Sequence, residues 1–210
     1  MNKLRKYLIP LILLLFLVVL FFYRGKRYTP AEREYINKIE KQRLKKDMEM
    51  KNDPDSPFNQ DPNAHYAPLK YFDVNPDFVF KSKLFGYQPK DTIKIYGTKG
   101  EERKVVKFGY VIITYKGKKH KINVYQGKTR TGQEYYSIWF TDKTTNKESY
   151  GVGRYLDFEK MSDSNYVYTI DFNLAYNPYC SYSAKYSCAV PTKEDYLDIA
   201  VTAGEKKFHN

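Results

Sequence analysis

The chain has 210 residues, 42% of them hydrophobic and 29% charged, enough for one domain of ordinary size with its own hydrophobic core. Its 22 tyrosines and 13 phenylalanines favour strands and large interior side chains, so a mainly β domain is expected. The formal charge of +12 divides unevenly: residues 1 to 27 carry +6, residues 81 to 130 carry +11, and the remainder is slightly acidic.

Residues 1 to 27 form the first segment. Lys3, Arg5 and Lys6 precede an apolar run over residues 7 to 23, broken only by Pro10, and Arg24, Lys26 and Arg27 follow it. That length is at the short end of a membrane-spanning helix. The run ends in Val19, Leu20, Phe21, Phe22 and Tyr23, without the small residues of a cleavage site, so an uncleaved anchor is expected over a cleaved signal. Basic residues flank both ends and nearly cancel the positive-inside bias. The expected location is a single-pass membrane protein with its β domain outside the cytoplasm.

Residues 28 to 51 read as a charged helix. Thr29, Pro30 and Glu32 have the pattern of an N-cap, a first-turn proline and a capping box. Tyr35, Ile36, Ile39, Leu44 and Met48 give only a partial apolar stripe, which suggests a largely solvated spacer. Residues 52 to 76 hold prolines at 54, 57, 62, 68 and 76, which rule out long regular elements. This connector is expected to pack on the following domain through Phe58, Tyr66, Leu69, Tyr71 and Phe72.

Over residues 77 to 210 the apolar period becomes two. Strands are expected at 92–96, 104–108, 110–115, 120–125, 134–141, 148–156, 167–172 and 197–202, with turns at Lys99-Gly100 and Lys116-Gly117-Lys118. Consecutive hairpins imply antiparallel pairing, in a closed or nearly closed barrel or a two-sheet sandwich. Lys116, Lys118, Lys119 and Lys121 cluster on one hairpin. They suit a solvated sheet face protected against edge pairing, or a contact with anionic lipid or an acidic envelope polymer. Aromatic-studded nucleic-acid motifs are absent, and no nucleic acid partner is expected.

Three segments are rich in groups that make fixed hydrogen bonds: Asp142-Lys143-Thr144, residues 151 to 157, and the stretch holding Asp171, Asn173 and Asn177. Gly151-x-Gly153 lacks the third glycine and helix of a dinucleotide fingerprint and suits close backbone approach instead. Arg154 is placed to clamp Asp171 or Asp142 bidentately. These motifs, with Glu148-Ser149-Tyr150, Tyr155-Leu156-Asp157, Ala175-Tyr176-Asn177-Pro178-Tyr179-Cys180, Cys188 and Ala203-Gly204-Glu205-Lys206, resemble the DUF1684 family of uncharacterised bacterial and archaeal proteins. Ser56-Pro57-Phe58 and Leu69-x-Tyr71-Phe72 are similar to its amino-terminal signature. The resemblance covers roughly residues 42 to 208 and departs from the family's usual residues at Ala189 and Asp195. It identifies a domain and implies no reaction.

His65, His120 and His209 are isolated in the sequence, and no serine lies in a G-x-S-x-G elbow, so a Ser-His or Cys-His hydrolase is not expected. The carboxylates Asp142, Asp157, Asp171 and Glu205 leave room for paired acid and base work on a glycoside. Cys180 and Cys188, an even pair in a chain that looks exported, favour a disulfide over free thiols. Neither C-x-x-C nor a nearby histidine supports a metal site, and no cofactor is expected. Two readings follow: a membrane-tethered binding or structural module of the cell envelope, with Asp142, Arg154, Asp157, Asp171, Asn173, Asn177 and Glu205 as its polar site, or a carboxylate-dependent hydrolase of a glycan or other envelope polymer.

Overall fold

Period-two patterning from Val79 onward folds into two antiparallel sheets. The computed structural model describes residues 28–129 and 131–209, and the chain divides into two units, Met1–Tyr35 and Ile36–Asn210. The expected anchor at residues 7 to 23 lies outside the described residues. Among the described residues, no helix is long and apolar enough to cross a membrane.

Helix α1 (Pro30–Asn52) starts at the anticipated capping box: Glu32 N–H donates to Thr29 Oγ1 at 3.2 Å, and Thr29 N–H donates to Glu32 Oε2 at 2.8 Å. Beyond Ile36 it is less solvated than expected. Ile39, Arg43 and Met50 are buried, whereas Leu44 and Met48 are exposed, so the helix lays one stripe on the β domain. Arg43 Nη1 donates to the Phe72 carbonyl at 2.9 Å, and its guanidinium lies 4.6 Å from the Tyr71 ring centroid. This arginine thus serves as a packing residue.

The strands are β1 (Val79–Lys83), β2 (Phe85–Tyr96), β3 (Glu102–Tyr115), β4 (Lys118–Lys128), β5 (Glu134–Asp142), β6 (Arg154–Asp157), β7 (Val167–Asp171) and β8 (Tyr196–Leu197). The large sheet has the order β2-β3-β4-β5-β6, with β8 parallel to β5, while β1 and β7 form a separate antiparallel ribbon. The sheet does not close into a barrel, one of the two architectures expected. Its free edge at β6 is instead capped by Tyr176, which exchanges two backbone hydrogen bonds with Tyr155 at 2.9 and 3.0 Å.

The main core lies between one face of the large sheet and the β1/β7 ribbon, built around Val111, Val124, Ile138, Phe140, Ile170 and Phe172. On the opposite face Tyr125 stacks on Trp139, with ring centroids 4.6 Å apart, beside Ile95, Val105 and Ala189. A third cluster joins the connector to the C-terminal segment through Met50, Phe58, Tyr182 and Phe208, with Tyr66 and Leu69 packed against it. The proline-rich segment therefore packs on the domain.

Two expected strands, 104–108 and 110–115, are one strand carrying a register shift between Lys107 and Gly109. The bulge depends on Gly109, where an added Cβ would sit 2.5 Å from the Phe85 carbonyl oxygen. Two other expected strands are shorter than their apolar pattern: 148–156 contributes only Arg154–Asp157, and 197–202 only Tyr196–Leu197. In both, turns bonded to Thr144 and to Asp142 replace the ladder. Gly109→Ala is expected to destabilise the domain by about 1–3 kcal/mol through forced backbone separation. Its cross-strand neighbour Gly86 faces open space, so Gly86→Ala should stay within about 0.5 kcal/mol of the parent protein in denaturant unfolding.

Candidate functional site

The seven polar residues singled out in the sequence do not form one site; the fold sorts them into three buried networks and one exposed carboxylate. Arg154 opens β6 opposite Phe140 of β5 and is fully buried. Its partner is Asp142, with Nη2 donating to Oδ2 at 2.8 Å; Asp171 lies elsewhere. The guanidinium also donates to the carbonyls of Val201 at 2.8 Å and Glu205 at 3.2 Å, and to that of Ala203. Burial pulls the Arg154 pKa below its ordinary value, and the Asp142 carboxylate opposes that pull. Asp142 in turn accepts from the Thr144 N–H and hydroxyl, both at 2.6 Å.

Gly153 makes this placement possible. Its φ is +109°, and an added Cβ would lie 2.6 Å from the Phe140 carbonyl oxygen, so the chain turns tightly before delivering Arg154 inward. The close-approach reading of Gly151-x-Gly153 holds at Gly153.

Asp171 ends β7 and accepts from the Asn173 N–H at 2.9 Å and from Asn173 Nδ2 at 3.1 Å. The Asn173 amide then pairs with the Asn75 backbone, accepting at 2.7 Å and donating at 2.8 Å. Glu205, also buried, accepts from the Asn177 N–H at 2.9 Å, from the Tyr182 hydroxyl and from Lys46 Nζ at 2.7 Å. Asn177 Nδ2 donates to the Lys206 carbonyl at 2.7 Å. Burial and the Glu205 charge push the Tyr182 phenol well above its ordinary pKa, so Tyr182 remains a hydrogen-bond donor at neutral pH.

Asp157, at the end of β6, is exposed and accepts from the Tyr176 hydroxyl at 2.6 Å. It and Asp171 line an open cleft of about 760 Å³ between β6, β7 and the 158–166 loop. Phe158, Tyr166, Tyr168, Tyr176 and Tyr179 line its walls, together with Lys46, Glu49 and Glu159. Phe158 stacks on Tyr168 with centroids 4.5 Å apart, and Tyr166 meets Tyr168 edge-on at 4.9 Å. These aromatic residues were not legible as a site, because in sequence each reads as sheet or core.

A further buried carboxylate also escaped the sequence. Asp195 accepts from Asn123 Nδ2 and the Tyr125 hydroxyl, each at 2.9 Å, and from the Thr192 N–H at 2.7 Å. Every donor comes from the chain itself, so this cluster is structural.

Cys180 and Cys188, the pair expected to form a disulfide, are both free in this structure. They lie side by side, and the sulfurs are engaged in hydrogen bonds instead: the Cys180 N–H donates to Cys188 Sγ at 3.2 Å, and the Tyr150 hydroxyl donates to Cys180 Sγ at 3.8 Å. A hydrogen bond from Cys188, aided by Tyr150, lowers the Cys180 pKa to about 7. Donating that bond and burial raise the Cys188 pKa. Among the described residues there is no group of three or more His, Cys, Asp or Glu side chains that could hold a metal ion.

Fold and site together define an open antiparallel β domain whose motif charges, Asp157 excepted, are buried and which carries a large cleft lined with aromatic rings. The chain belongs to the DUF1684 family, described as proteins of unknown function, whose profile matches residues 64–206. It is similar to an uncharacterised protein of Haloarcula marismortui whose structure was determined in solution by NMR. The two are 25% identical over 84% of this chain and 96% of that one, with a TM-score of 0.59. No functionally curated protein matches the chain.

Arg154→Ala would leave Asp142 as an unpaired buried charge, and denaturant unfolding is expected to register a loss of about 3–5 kcal/mol. A loss below about 1 kcal/mol, the range of an exposed pair, would contradict the buried network. The thiolate fraction of Cys180 increases as pH rises through its lowered pKa, so its alkylation rate should climb to half its maximum near pH 7. Cys188 should resist labelling in the folded protein at that pH. Failure of both cysteines to label before reduction would restore the disulfide.

Proposed function

We propose that this chain is a membrane-tethered binding module of the cell envelope, with its β domain outside the cytoplasm and its ligand in the cleft beside β6 and β7. The observation that carries the reading is the cleft of about 760 Å³ walled by Phe158, Tyr166, Tyr168, Tyr176 and Tyr179, a concave surface of the kind that binds small organic groups. The sequestration of Asp142, Arg154, Asn173, Asn177 and Glu205 supports it from the other side. Their hydrogen bonds are made within the protein, which suits a rigid frame behind a binding surface.

The tether rests on the apolar run at residues 7 to 23 with its basic flanks. A second contact is proposed at the β3–β4 hairpin, where Lys116, Lys118, Lys119 and Lys121 are exposed and would meet anionic lipid or an acidic polymer. Lys121 Nζ lies 4.6 Å from the Tyr110 centroid and 4.8 Å from that of Tyr87. This gives the hairpin an aromatic base beneath its charge.

A carboxylate-dependent hydrolase is the second reading, favoured by one observation: Asp157 and Asp171 line the same cleft. Incubation of the full-length protein with envelope polysaccharides separates the two. The binding module should retain polymer without releasing reducing ends above background. Release that disappears in Asp157→Asn would establish the hydrolase.

A further inference from the structure

We infer that the cleft beside β6 and β7 takes an organic ammonium group. This inference rests on the reading of that cleft as a binding site and names the chemistry of its ligand. The rim sets the sign of the charge. In a chain of formal charge +12, the cleft is lined by the exposed carboxylates of Asp157 and Glu159, by Glu49, which lies 3.5 Å from Lys45, and by the buried Asp171, against the single ammonium of Lys46. Lys46 is itself matched by Glu205 at 2.7 Å, and Glu159 makes no hydrogen bond or ion pair with the described residues. An anion would be repelled from this rim, and a cation drawn to it.

The walls set the chemistry of the cation. Tyrosine faces carry negative quadrupole potential and attract ammonium groups, most strongly where water is partly excluded. The protein already shows the match with a group of its own: Lys46 Nζ stands 4.5 Å from the Tyr176 ring centroid. Further along the cleft Tyr166 and Tyr179 are 40% and 42% exposed, leaving ring surface that no cation of the described residues covers. A small hydrated metal ion would not use these rings, and a neutral sugar would stack on the rings and donate hydroxyls to the carboxylates without neutralising their charge. An alkylammonium or a protonated amino sugar uses both.

Full-length protein in non-ionic detergent at mildly acidic pH provides the test, with two matched pairs of probes measured by calorimetry. One pair is choline with its neutral isostere 3,3-dimethylbutanol; the other is a glucosamine tetramer with its N-acetylated counterpart. At least one cationic probe is expected to bind about tenfold or more tightly than its neutral partner, and the tighter pair distinguishes a headgroup-like source from an amino sugar. Tyr179→Ala and Glu159→Gln, both at exposed positions, should each weaken that binding severalfold without moving the thermal midpoint. Equal affinity for charged and neutral partners would overturn the ammonium and leave the cleft as a binding site. Absence of binding by all four probes would overturn both.

Discussion

The pair formed by Arg154 and Asp142 at 2.8 Å is the constraint on which the C-terminal half depends. A guanidinium removed from water is costly unless nearly all its donors are met. Here the two Nη groups are met by one carboxylate and by the backbone carbonyls of Val201, Ala203 and Glu205, and Nε alone has no partner among the described residues. The C-terminal segment has little strand pairing of its own beyond Tyr196–Leu197. Arg154 supplies the missing partners and turns an irregular stretch into a wall of the core, between Phe72 and Phe140.

From that wall the organisation passes outward. Glu205 follows the carbonyl that Arg154 holds, and its buried carboxylate gathers Asn177, Tyr182 and Lys46. Lys46 belongs to α1, and the same helix reaches the Asn173 carbonyl through Arg43 at 3.4 Å. Helix, connector and the end of β7 are thus drawn together by charged groups satisfied within the protein, while apolar clusters supply most of the driving force. The cleft is a product of this arrangement. Tyr176 caps the β6 edge with its backbone, which presents its ring to the cavity and its hydroxyl to Asp157.

The proposed ligand chemistry is consistent with how the protein handles its own cations. Lys121 lies over Tyr87 and Tyr110, Lys90 over Phe108, Arg43 over Tyr71, and Lys46 over Tyr176. In a basic chain rich in tyrosine, ring faces are the available counterweight wherever carboxylates are scarce. The cleft contains one of these contacts, Lys46 over Tyr176, and sets the carboxylates of Asp157 and Glu159 in the same lining.

By itself the sequence determined the class of fold, the capped start of α1, the antiparallel hairpins, the packing of the proline-rich connector and membership of the family. Each follows from local signals: residue periodicity, proline positions, or motifs in fixed order. Tertiary structure alone decided that the sheet stays open and that Arg154 pairs with Asp142 at the expense of Asp171. It also decided that 104–115 is one bulged strand and that Phe158, Tyr166, Tyr168, Tyr176 and Tyr179 face a common cavity. Those outcomes depend on which distant segments meet. Periodicity reports which side chains avoid water, whereas pairing and cavities depend on which neighbour excludes it, and a tyrosine has the same local pattern in a core as on the wall of a cleft.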